Sequence, residues 1–128
     1  MKRRAFLLAG LLSPAASAPA SAASDISVIY VGGQDCSYCT MWQNRYRAAW
    51  LASPSFTQVQ WIEIDPPRLR DAYRERHWPV AFRSVLEQVP RKNGTPRFLV
   101  VQGGRIVSNQ LGVTAWEVTL ADLKILLG

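Results

Sequence analysis

Apolar and polar positions follow two periods along the chain, and each change of period marks an element. Residues 26–31, Ile-Ser-Val-Ile-Tyr-Val, are rich in β-branched side chains and stop at Gly32-Gly33, which predicts a buried strand and a turn. From 36 to about 52, Trp42, Tyr46, Ala49 and Trp50 fall at i, i+4, i+7 and i+8, one stripe of a helix that Ser53-Pro54 ends. Residues 59–64 alternate as a second strand, stopped by Asp65-Pro66-Pro67. Two helical pieces are expected next. The first covers about 67–77, and the second carries Phe82, Val85, Leu86 and Val89 at core-facing spacing between Pro79 and Pro90. Thr95-Pro96 opens a strand over 97–101, Gln102-Gly103-Gly104 turns it, and 105–108 returns as the partner of a hairpin. Gly112 precedes a last helix over 115–127, with Val118, Leu120, Leu123 and Leu127 among its apolar positions. Strands alternating with helices predict an α/β domain.

The first residues do not fit this pattern. Met1-Lys2-Arg3-Arg4 is followed by an apolar run over 5–12 and then by small residues, among them Ala20-Ser21-Ala22. A basic start, a core too short to span a bilayer and a small-residue end predict a secretory signal peptide over 1–22, cut after Ala22, with one domain over 23–128. Ala5 to Ala9 is apolar on every side, which argues against an amphipathic helix. Arg3-Arg4-Ala5-Phe6-Leu7 also resembles a twin-arginine signal, which leaves two export routes open. The expected location is periplasmic, or otherwise exported.

Charge then loses its significance. The whole chain carries +6, but the leader takes three of the fifteen basic residues and none of the nine acids, leaving +3 on 106 residues. That is ordinary surface balance and gives no reason to expect nucleic acid as a partner. Arg68, Arg70, Arg74 and Arg76 are interleaved with Asp71 and Glu75 and are expected on a solvated face, with His77 at the surface beside Trp78. No apolar run reaches the roughly 18 to 20 residues that cross a bilayer, so stable membrane insertion is not expected.

Only two cysteines exist, Cys36 and Cys39, two residues apart. In an oxidising compartment such a pair can be a structural bridge, a metal site or a redox couple. A bridge closing so short a loop removes little entropy from the unfolded chain. A zinc site needs about four ligands, and beyond the pair the sequence offers His77 and no further cysteine, although thiolates also suit Cu(I). The redox reading needs nothing more than the pair. At a helix start, free N–H groups and the positive end of the macrodipole stabilise a thiolate, so Cys36 is the expected nucleophile. Cys39, a turn further in and on nearly the same side, resolves.

The order of strand, Cys36-Ser37-Tyr38-Cys39 helix, strand, helical segment, Thr95-Pro96 strand, Gly103-Gly104 hairpin, Gly112 and final helix resembles the thioredoxin superfamily over most of the domain. The resemblance implies a four-stranded mixed sheet flanked by helices, with an extra helical piece between the second strand and the Pro96 strand. It implies a cis bond before Pro96 and a loop lying against the cysteines, where Thr95 offers backbone groups to a bound peptide as an added strand. Cys36 and Cys39 are then the catalytic pair. Ser37, Tyr38, Thr95 and Pro96 are the substrate-facing residues, with no cofactor beyond the Cys36–Cys39 disulfide. The implied partners are a protein bearing a disulfide or thiol and a membrane electron donor. The alternatives are a Cu(I)-binding or delivery protein using the same thiolates, or a non-catalytic adaptor.

The chain departs from typical thioredoxins in three places. Tyr30, six residues before Cys36, stands where the family has a buried acid, which takes that carboxylate away from Cys39. Asp35 replaces the tryptophan before the pair, and a negative charge there opposes a Cys36 thiolate. The stretch from Asp65 to Pro96 is longer than the plain fold needs. Reduction is the expected direction, since a small single domain has neither the dimerisation module of the family's isomerases nor the large insertion of its strong oxidants.

Overall fold

The structure, a computed structural model, describes residues 25–128. The expected signal peptide over 1–22 and its cleavage site lie outside the described residues.

Four strands form one mixed sheet in the order β2-β1-β3-β4. They are β1 (Ile26–Val31), β2 (Gln60–Ile64), β3 (Arg97–Gln102) and β4 (Arg105–Leu111). β1 runs parallel to β2 and antiparallel to β3, and β3 pairs antiparallel with β4 across a bulge at Val100/Val101. Every residue of β1 is buried, as an apolar run in the middle of a sheet covered on both faces should be.

The pleat sends alternate residues into two cores. On one face Val28, Tyr30, Phe98 and Val100 pack with Trp42, Trp50 and Trp116; on the other Ile29, Val31, Leu99 and Val101 meet Ala72, Trp78, Val85, Leu86 and Val89. The first face is covered by α1 (Ser37–Trp42), a π turn (Gln43–Arg47), α2 (Ala48–Leu51) and the last helix, α4 (Ala115–Leu127). The second lies under the segment between β2 and β3, including α3 (Arg83–Gln88).

Five expectations change. The helix expected over 36–52 contains the π turn, whose wider spiral carries extra residues per turn. Trp42 and Trp50 therefore end up together, each 5.3 Å from the Trp116 ring, while Ala49 turns to solvent despite its place in the predicted stripe. The piece expected over 67–77 is two single 3-10 turns, Leu69–Asp71 and Glu75–His77. Its apolar side chains are too few to hold a helix, and individual tertiary bonds fix it instead: Trp78 Nε1 donates to the Ala72 carbonyl at 2.8 Å. β4 extends three residues beyond the expected 108, and in α4 the inward side chains are Trp116, Thr119 and Leu123, with Val118 exposed. The arginines at 68, 70, 74 and 76 are solvent-exposed, with Arg74 and Arg76 sharing Asp71. His77, expected at the surface, is half-buried, with its Nε2 enclosed and without a hydrogen-bond partner among the described residues.

Among the described residues no helix is long and apolar enough to cross a membrane.

Candidate active site

Gly32 and Gly33 bring two loops together. A Cβ at Gly33 would overlap the backbone of Leu69, so only glycine lets the segment after β2 approach the one before the cysteines. The two loops are then stitched: Gln34 N donates to Pro66 O at 2.9 Å, Gln34 Nε2 to Asp65 O at 3.1 Å, and Leu69 N to Asp35 Oδ1 at 2.7 Å. Asp35, expected to oppose a Cys36 thiolate, has its carboxylate engaged by the Leu69 turn.

Cys36 is the N-cap of α1 and not its first helical residue, with extended backbone angles and its Sγ accepting the Cys39 N–H at 3.1 Å. The pair is joined as a disulfide with Cα atoms 5.1 Å apart. The Thr95–Pro96 bond is cis. Its loop packs against the pair, with Thr95 Oγ1 donating to Cys36 Sγ at 3.1 Å and the Thr95 carbonyl oxygen 3.8 Å from the same sulfur. Two donors thus converge on the Cys36 sulfur, one from the helix backbone and one from the opposite loop.

Cys36 keeps only 4% of its surface and Cys39 1%. The nucleophile reading asks for a more open sulfur. Thr95 lies across it on one side and the disulfide takes up another. Tyr38, 62% exposed, and Met41 border a recess of about 310 Å³ next to the pair, completed by Thr95, Gly112, Val113 and Thr114. Of the six residues expected at the site, Cys36, Cys39 and Thr95 are in direct contact and Pro96 is buried behind Thr95. Tyr38 is on the rim, and Ser37 is exposed with no side-chain hydrogen bond among the described residues.

On the Cys39 side lies a polar cleft of about 370 Å³ that the sequence reading missed, bordered by Cys39, Tyr30, Gln43, Arg47, Glu63 and Asp65 among others. Tyr30 is fully buried and stacked on Trp42 at 4.7 Å. Burial pushes its hydroxyl up to about 12, with Gln43 drawing it partly back; that contact lacks hydrogen-bond geometry. Glu63 is fixed by Arg47 Nη2 at 2.6 Å and by Trp61 Nε1 at 2.8 Å. Asp65 is held above the usual carboxylate range, first by burial and then by the Glu63 charge, against the pull of Arg47. The sequence held part of a signal for this cleft, the alternation Trp61, Glu63, Asp65 along one face of β2; the pairing of Tyr30 with Glu63 that completes it appears only in the folded sheet.

Behind Pro96, Arg97 is buried and spends its guanidinium on the loop: Nε donates to Tyr73 Oη, Nη1 to Asn109 and Nη2 to the carbonyls of Arg91 and Asn93. It sets the position of the 91–94 turn that delivers Thr95. Among the described residues no group of three or more His, Cys, Asp or Glu side chains is placed to hold a metal.

Solved structures share this fold. A thioredoxin of Malassezia sympodialis superposes with a TM-score of 0.52 at 14% identity, over 79% of this chain and 78% of that one. A thioredoxin of Fasciola hepatica gives 0.51 at 18% identity, over 80% and 85%, and the oxidised thioredoxin of Plasmodium falciparum 0.50 at 15%, over 86% and 91%. The fold is thioredoxin-like. No protein-family model matches the chain, and no curated protein matches its sequence. Within the thioredoxin-like fold, the pair stands at the carboxyl end of β1, where open α/β sheets place their sites.

Proposed function

We propose that this chain is an exported thiol-disulfide oxidoreductase that reduces disulfides of partner proteins through Cys36 and Cys39. The observation that carries the reading is the convergence of the Cys39 N–H and the Thr95 hydroxyl on the Cys36 sulfur, 3.1 Å each, at the start of a helix. Donors so placed stabilise negative charge on that sulfur and select it as the attacking thiolate.

In the reduced protein, the Cys36 thiolate attacks one sulfur of the substrate disulfide. The other substrate sulfur leaves with the electron pair and takes up a proton. Cys39 gives up its proton and attacks Cys36 Sγ, which releases the second substrate thiolate and closes the Cys36–Cys39 disulfide. Two electrons have passed to the substrate, and a dithiol donor of the membrane restores the pair by the reverse exchange. The substrate segment lies beside Thr95 as an added strand, with Tyr38 and Met41 as an apolar rim.

The reductive direction rests on size. Between β2 and β3 the described chain has only short turns and the six-residue α3, unlike the large helical insertion of the superfamily's strong oxidants. Export rests on the basic, apolar and small-residue order of the first 22 residues.

The reading is tested with insulin as a disulfide substrate and a dithiol as donor. Cys36→Ser abolishes turnover, whereas Cys39→Ser accumulates mixed disulfides with substrate; full activity in the Cys36 variant refutes the mechanism. Recovery of a chain beginning at Ala23 outside the cytoplasm checks export.

A further inference from the structure

Resolution of the mixed disulfide needs Cys39 to lose a proton, yet the sulfur is enclosed and the neighbouring position on β1 is Tyr30, whose hydroxyl keeps its proton at neutral pH. We infer that Asp65, at the end of β2, is the proton acceptor for Cys39, acting across the polar cleft that both residues border. The inference rests on the oxidoreductase reading and assigns a part of it.

The other groups facing that cleft are excluded one by one. Glu63 has its side-chain oxygens taken up by Arg47 and by Trp61 Nε1. Arg47 is a permanent cation, and Gln34, Thr40 and Gln43 do not titrate. Asp35 does not border the cleft, and its carboxylate accepts the Leu69 amide. Of the two carboxylates on the cleft, Asp65 is the one left without a partner: among the described residues its side-chain oxygens make no hydrogen bond or ion pair, and its backbone carbonyl is engaged by Gln34. Its half-buried place beside Glu63 raises its affinity for a proton, and Arg47 limits the rise. A cleft of about 370 Å³ holds enough water to carry a proton between the groups without direct contact.

The step balances. Cys39 thiol and Asp65 carboxylate become thiolate and carboxylic acid. The thiolate then attacks Cys36 Sγ, the bond from Cys36 to the substrate breaks with its electron pair on the substrate sulfur, and Asp65 returns its proton to water through the cleft. When the disulfide is reduced again, the same carboxyl delivers a proton to Cys39.

The test is single-turnover reduction of a fluorescence-quenched disulfide peptide by the full-length reduced protein, which separates mixed-disulfide formation from resolution. In Asp65→Asn the first phase keeps its rate. The second slows about a hundredfold at pH 7, the low end of what a positioned base contributes, and rises with hydroxide concentration. Equal rates in both phases overturn the inference and leave the oxidoreductase reading standing, as does equal slowing of both phases. Absence of a mixed disulfide in the unaltered protein ends both. A readout independent of the variant's folding is the Asp65 carboxyl signal by NMR: in the reduced protein it titrates in two steps coupled to Cys39, and in Cys39→Ser in one. Identical curves overturn the assignment.

Discussion

The Cys36 sulfur accepts two hydrogen bonds, and only the one from Thr95 comes from a side chain that can be removed without touching the helix. Thr95→Val keeps shape and branching and deletes that donor. With a net hydrogen-bond contribution of about 0.5–1.5 kcal/mol, mixed-disulfide formation at pH 7 should slow roughly two- to twelvefold. The thiolate absorbance of the reduced protein should then appear at higher pH; an unchanged titration would show that the bond does not act on the thiolate. Tyr30 illustrates the opposite case, a side chain retained for its ring. Stacked on Trp42, it buries a hydroxyl with no partner and a pKa raised from 10.0 to about 12. A raised value means the folded state holds the proton more tightly. The associated stability is present below pH 10 and lost as pH climbs toward 12, about 2–3 kcal/mol by linkage. Tyr30→Phe should remove that part of the alkaline slope in urea unfolding, leaving the share of Tyr73, whose hydroxyl is also raised, by burial. An unaltered slope in the variant would assign the whole of it elsewhere.

Among the elements, those whose side chains follow one period were legible in the sequence, and those fixed by single long-range bonds were not. β1 is fully buried over the whole predicted run because its β-branched residues fill both cores. The π turn was invisible, since no period in the apolar positions marks it; with it in place Trp42 and Trp50 both pack against Trp116. Residues 69–77 have helix-compatible charges but are held as turns by Asp35 and by Trp78. The cysteine pair and Thr95 announced themselves through type and spacing. Asp65 and Glu63 could be found only once β1 and β2 were in parallel register. The loop contact through Gly33 is likewise invisible to periodicity and gives the sharpest test at this scale. Gly33→Ala forces Leu69 away, loosens the Asp35 and Gln34 bonds, and should cost about 1–3 kcal/mol in urea unfolding. Unchanged stability would mean that the two loops are not mutually dependent.

At the scale of the molecule, the direction of electron flow is a comparison of two folded states. The chain is more reducing than an unfolded Cys-x-x-Cys segment if its disulfide form is more stable to unfolding than its dithiol form, and more oxidising if the order is reversed. Two contributions oppose each other. The disulfide constrains the unfolded chain, worth roughly 2 kcal/mol for so short a loop. On the proposed oxidoreductase reading, the helix amide and Thr95, both 3.1 Å from Cys36 Sγ in the disulfide form, also hold the thiolate of the reduced form and stabilise it. Each is a net hydrogen bond of about 1 kcal/mol in a neutral setting and more to a charged sulfur, so the two sums are of similar size. Asp65 tips the balance. On the same reading, a negative charge on Cys39 facing Asp65 across their shared cleft is unfavourable, which limits what the donors can stabilise in the reduced pair. Urea unfolding of the two forms at pH 7 should therefore give the oxidised chain the higher midpoint. In Asp65→Asn the gap between the forms should narrow, because the charge opposing the reduced pair is gone. Each 1.4 kcal/mol of the gap corresponds to 30 mV, so a directly measured potential must agree with it. If the reduced form unfolds at the higher urea concentration, the chain gives up its disulfide readily and acts as an oxidant, with the same two sulfurs exchanging in the opposite sense.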